Sequence, residues 1–183
     1  MTDVSDRYRK NAAAFTKRVE AVPPDQWEAQ SPCDEWKARD IVRHVVNSSE
    51  RFLGFAGQSL PPGPSVDDDP LGAWTNARDA IQAGLDDPAI AQAEYDGMWG
   101  KATFEQGVNR FLAADLVVHS WDLARATGGD ERLDLDEVRT IRAGFDGFDP
   151  KMFRSPGAFG PELEAPPGAD EQTKFLAFVG RRA

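Results

Sequence analysis

The stretch Thr103–Gly129, TFEQGVNRFLAADLVVHSWDLARATGG, constrains the fold more than any other part of the chain. No proline interrupts it. Apolar residues recur at helical spacing through Val108, Phe111, Leu112, Leu116, Val118 and Leu123, the period of an amphipathic α-helix. Thr103 with Gln106 has the form of a capping box, and Gly128-Gly129 is a helix stop. Such a helix must bury its stripe against partners. The polar interruptions of that stripe carry the functional information. The row through Val108, Phe111 and Leu112 continues to Asp115, His119 and Asp122. Asp115 and His119 stand one turn apart and point the same way. A carboxylate on a core-facing row is costly unless it is paired or binds a metal. On this helix alone, a hydrogen-bonded structural pair and a pair of ligands are both open readings.

The other helices follow from the same periodicity. A first helix is expected over about Asp3 to Val22, with Val4, Tyr8, Phe15, Val19 and Val22 inward, stopped by Pro23-Pro24. A second is expected over about Lys37 to Ala56, with Ile41, Val42, Val45, Val46, Phe52 and Leu53 facing the core. His44 lies at the margin of that stripe. A third runs from about Leu71 to Leu85, after a loop whose Asp67-Asp68-Asp69 run reads as solvated surface. A short strand is expected around Ala93 to Met98, with Gly97, Trp99 and Gly100 as a turn into the long helix. Asp134 should cap a fifth helix to about Phe148, with Leu133 and Val138 stapling its start. Pro150, Pro156, Pro161, Pro166 and Pro167 predict an extended wrapping tail, closed by a short helix over about Glu171 to Val179. The expected architecture is all-α: a four-helix bundle with an extra helix and a proline-rich tail. The 183 residues read as a single domain, with its bundle core over about 3–128 and the additions over about 133–183.

Charge and cysteine usage narrow the function. A net charge of −10 argues against nucleic-acid and anionic-membrane partners. No apolar run is long enough to span a bilayer, and the opening residues MTDVSDRYRK lack a signal-peptide core. The single cysteine, Cys33, suits a reducing cytoplasm. It reads either as a buried structural residue beside Pro32 and Trp36 or as a further ligand or nucleophile. The chain has only two histidines, His44 and His119, both in mid-helix on or beside apolar faces.

Three stretches together carry a resemblance: SPCDEWKARDIVRHVV (Ser31–Val46), DLVVHSWDLARATG (Asp115–Gly128) and PGAFGPELEAPPGADEQTKFLAFVGR (Pro156–Arg181). The chain resembles the DinB-like superfamily, in the actinobacterial branch related to the N-terminal domain of mycothiol-dependent maleylpyruvate isomerase. The third stretch is similar to the tail of an uncharacterised subgroup. The resemblance implies a four-helix bundle holding a divalent metal near one end, with His44, Asp115 and His119 as ligands. The isomerase branch has glutamate where this chain has Asp115. The sequence has no counterpart of the isomerase's larger C-terminal domain, which implies an activity other than maleylpyruvate isomerisation itself.

Two imidazoles and a carboxylate form a common three-ligand set for zinc that leaves one position open. The implied function is a metal-dependent thiol transferase or isomerase. It would take mycothiol or a similar small thiol as cosubstrate, together with an electrophilic substrate, and act as a monomer or homodimer. The alternative is a non-catalytic bundle stabilised by the same metal, serving as a ligand-binding or stress-linked module. Asp122, one turn past His119, either orients that imidazole or approaches the implied metal from behind the ligands, or else makes a salt bridge to Arg125 or caps a neighbouring loop. Arg43, Asn47, Arg51 and Asn109 are the polar residues whose convergence would favour the enzyme.

Overall fold

A computed structural model of the chain describes residues 2–97, 100–146, 153–154 and 159–183. These residues form two compact units, Met1–Glu131 and Arg132–Ala183.

The first unit is a helical bundle. Helix α1 (Asp3–Glu20) begins at Thr2, whose hydroxyl accepts the Ser5 N–H, and buries Tyr8, Ala12, Phe15 and Val19 along one face. It ends two residues short of the expected Val22, because α geometry is disfavoured just before Pro23. Helix α2 (Ala38–Phe55) opens with the Asp40 carboxylate accepting the Lys37 N–H at 2.9 Å. Its buried stripe is Ile41, Val42, Val45, Val46, Phe52 and Leu53. Helix α3 (Pro70–Asp86) is capped by Asp69, which accepts the Gly72 N–H at 2.9 Å. Proline suits its first turn, where the missing N–H would have no partner. Trp74 of α3 meets the Phe15 ring edge-on at 5.0 Å, and its indole N–H donates to Thr16 at 2.9 Å.

A four-residue helix α4 (Pro88–Ala91) leads into an antiparallel hairpin, β1 (Glu94–Gly97) with β2 (Gly100–Thr103), in which Glu94 faces Thr103 and Gly97 faces Gly100. The second strand is an addition to the single strand expected. The long stretch then starts as α5 (Phe104–Gly107), widens into a π-helical turn over Val108–Leu112, and continues as α6 (Ala113–Thr127). Its capping box is present: Gln106 N–H donates to Thr103 and Thr103 N–H to Gln106. Its stop is also as expected, with Gly128 at φ 69. The π turn departs from the expected uninterrupted α-helix. It is marked by the Ala113 N–H donating to the Val108 carbonyl, five residues back.

Helices α3 and α6 each pack against both α1 and α2, so the bundle closes in the order α1, α3, α2, α6. Phe104, Val108, Leu112, Leu116 and Leu123 fill its centre, all fully buried. This is an all-α, DinB-like bundle.

In the second unit, α7 (Leu135–Phe145) is capped by Asp134 and α8 (Glu171–Phe178) by Asp170. Arg139 of α7 donates to both carboxylate oxygens of Glu171, at 2.8 and 2.7 Å. Phe145, Phe153 and Phe159 gather with Phe178 as its aromatic core. The expected features at Met98, Trp99, Phe148, Pro150 and Pro156 lie outside the described residues. No described helix is long and apolar enough to cross a membrane.

Candidate metal centre

Packing α2 beside α6 brings both histidines together. His44 Nε2 lies 3.2 Å from Asp115 Oδ2. The His44 and His119 rings are 4.8 Å apart between centroids and tilted by 69°. One donor atom from each of His44, Asp115 and His119 lies within 4.8 Å of the others. Neighbouring ligands of a tetrahedral zinc ion, with bonds of about 2.1 Å, stand about 3.4 Å apart. The His44–Asp115 pair already has that spacing, and His119 lies within 4.8 Å of both. The donor set therefore fits a divalent ion. Asp115 reaches His44 although it is one methylene shorter than glutamate. Exposure falls across the cluster: the side chains of Asp115 and His44 are 30% and 27% exposed, and His119 is 7% exposed. One side is thus open to solvent and the other is sealed by the bundle.

The loop before α2 forms the remaining wall. Its turn is held by Ser31 N–H to the Trp36 carbonyl at 3.0 Å and by Trp36 N–H to the Cys33 carbonyl at 3.1 Å. The Ser31 hydroxyl accepts the Cys33 N–H at 3.1 Å. Glu35 takes a left-handed backbone, φ 65, which is uncommon for a non-glycine residue. The turn lays the Trp36 ring 4.9 Å from His44 and 5.9 Å from His119, over both imidazoles. Trp36 is a wall of the site that helical periodicity does not reveal. Its position three residues after Cys33, just ahead of the His44 helix, was the available signal.

Asp122 is completely buried, with Oδ2 2.9 Å from His119 Nδ1. Arg125, its other expected partner, pairs with Glu131 at 2.8 Å and covers the Trp121 ring. Cys33 is partly exposed, and its Sγ lies 3.4 Å from the same Asp122 oxygen. Cys33, His119 and Asp122 thus form a second close group of metal-type donors. Two of the four polar candidates are engaged elsewhere. Arg43 donates to Asp67 at 2.6 Å, and the Asn109 side chain accepts from Arg7 at 2.6 Å. Asn47 and Arg51 lie exposed on α2.

The fold and the cluster define a class: a DinB-like helical bundle whose adjoining helices present two histidines and a carboxylate as a candidate metal centre. The chain belongs to the mycothiol maleylpyruvate isomerase N-terminal domain family, which matches it over residues 8–124. That span contains every residue of the cluster. Two uncharacterised proteins of Mycobacterium tuberculosis, one from each of two strains, are 27% identical over 169 residues, covering 92% of this chain and 92% of each relative. No significant match exists among solved structures.

Proposed function

We propose that the protein is a divalent-metal protein, with zinc as the ion, that acts in the cytoplasm as a transferase or isomerase using mycothiol or a similar small thiol. The observation that carries this reading is the convergence of His44, Asp115 and His119 with the His44–Asp115 pair already at 3.2 Å. In this reading His44 and His119 bind as neutral imidazoles and Asp115 supplies the one negative charge. A divalent ion held by His44, Asp115 and His119 would supply Lewis acidity, the chemistry that favours the thiolate form of a bound thiol at neutral pH. The open His44–Asp115 side admits the thiol and its electrophilic partner. Trp36 supplies an apolar wall that limits water around both imidazoles. Family membership supports the thiol assignment.

One observation favours the non-catalytic alternative, in which the same ion only stabilises the bundle or serves a ligand-binding module. Arg43 and Asn109, two polar residues that would have helped to orient a substrate, are bonded to Asp67 and Arg7. Cobalt-substituted protein separates the two readings. Millimolar mycothiol, or a cysteinyl amino-sugar analogue, should produce a sulfur-to-cobalt charge-transfer band that is absent in His119→Ala. If no thiol perturbs the cobalt spectrum, thiol chemistry is wrong and the non-catalytic reading stands.

A further inference from the structure

We infer that Asp122 is a positioning residue. Through His119 it fixes the imidazole tautomer and orientation that present Nε2 to the metal, and the Cys33 thiol is a second donor to the same carboxylate oxygen. The inference rests on the metal reading above and deepens it.

The side chain of Asp122 has no solvent exposure, and a buried carboxylate is costly unless hydrogen bonds replace its water. Its Oδ2 receives two contacts, from His119 Nδ1 at 2.9 Å and from Cys33 Sγ at 3.4 Å. A carboxylate has only acceptors, so the shared protons belong to Nδ1 and to sulfur. A neutral imidazole protonated at Nδ1 has its lone pair on Nε2. That leaves Nε2 as the nitrogen His119 can offer beside His44 and Asp115. The arrangement is inexpensive to build, because Asp122 lies one turn past His119 on the same face of α6. Cys33 reaches the oxygen from another direction, on the turn whose backbone bonds join Ser31, Cys33 and Trp36. The carboxylate is thereby held from the loop as well as from its own helix.

The competing use of these atoms is a metal site made of Cys33, His119 and Asp122. It would need an unprotonated Nδ1 and a thiolate, whereas Nδ1 and Sγ both meet one oxygen of Asp122 at hydrogen-bond distance, an arrangement that an N–H and an S–H satisfy without an ion. The positioning role accounts for the burial of Asp122 and the placement of Cys33 with one set of hydrogen bonds.

The test uses the whole chain without a histidine tag. With only two histidines, isotope-labelled histidine gives two ring systems, and nitrogen NMR of the metal-free protein reads each tautomer directly. Wild-type His119 should be the Nδ1–H form. In Asp122→Ala and Asp122→Asn the ring should move toward the Nε2–H form that histidine favours in water. Cobalt affinity should fall roughly ten- to a hundred-fold, the usual effect of losing a carboxylate behind a ligating histidine. If Asp122→Ala does not fold, the isosteric Asp122→Asn still decides. Cys33→Ser keeps a donor and should retain wild-type cobalt affinity, and the thiol-free cobalt complex should show no sulfur band. Wild-type tautomer and affinity in both Asp122 variants would overturn the inference, as would a sulfur band that Cys33→Ser removes. If wild-type protein takes up no cobalt at all, the metal reading fails, while the tautomer measurement still decides what Asp122 does.

Discussion

Ser5 is fully buried, and its hydroxyl donates to Asp86 at 2.5 Å, from α1 to α3. Gln82 donates to the same oxygen at 3.1 Å, and Arg9 pairs with the carboxylate at 3.3 Å. The Ser5 hydrogen bond, above all, holds the Asp86 carboxyl below its ordinary range. A carboxyl depressed in the folded state stabilises the fold above its unfolded value, about pH 3.9, and loses that contribution as pH falls through the depressed one. Ser5→Ala should therefore lower the urea midpoint at pH 7, with the gap from wild type closing as the pH drops below about 3.9. A gap of equal size at pH 7 and pH 2 would mean that Ser5 acts through packing and its Gln82 hydrogen bond and not through the Asp86 charge. The clustering of the two histidines with Asp115 follows from the helical pattern. His44, Asp115 and His119 were legible because each interrupts or borders an apolar helical stripe. The reach of Trp36 over both rings and of Cys33 to Asp122 was not, because it depends on the left-handed Glu35 and on loop hydrogen bonds that no spacing rule encodes.

The helices of the bundle were legible to within a few residues because their caps and stops are local. Thr103 with Gln106, Asp134, and Gly128 act within one turn of themselves. Removing the Thr103 hydroxyl leaves the Gln106 N–H without its cap. Thr103→Ala should thus cost about 0.5–2 kcal/mol in urea unfolding, at unchanged m-value. An unaltered midpoint would show that α5 draws its stability from its other contacts, such as buried Phe104, and not from the Thr103 cap. The π turn over Val108–Leu112 was not legible, since apolar spacing over a single turn does not separate a period of 3.6 from a wider one. It inserts one residue's worth of rotation just before Asp115. The α5 side chains and the Asp115–His119 pair are thereby set on faces that one continuous α-helix would not give them. The strand Gly100–Thr103 was missed for a related reason: Gly100, Lys101, Ala102 and Thr103 have little strand character apart from their pairing.

Taken together, the bundle explains why an acidic chain with only two histidines places both on adjoining helices. Helices α2 and α6 pack side by side, and one polar interruption of their apolar stripes is the place where His44 meets Asp115 and His119. Bringing these groups together without an ion leaves Asp115 hydrogen-bonded to His44 and gains little, since partly exposed pairs contribute about 0–1 kcal/mol. Bound metal would add its own binding energy to the fold. The most direct test of this account is the metal content of tag-free protein after equilibrium dialysis against zinc. Wild-type protein should hold about one ion per chain, and His44→Ala and His119→Ala should each lose tight binding, because three protein ligands are the usual minimum for such a site. Wild-type occupancy in both variants would contradict the assignment of His44, Asp115 and His119 as the metal centre.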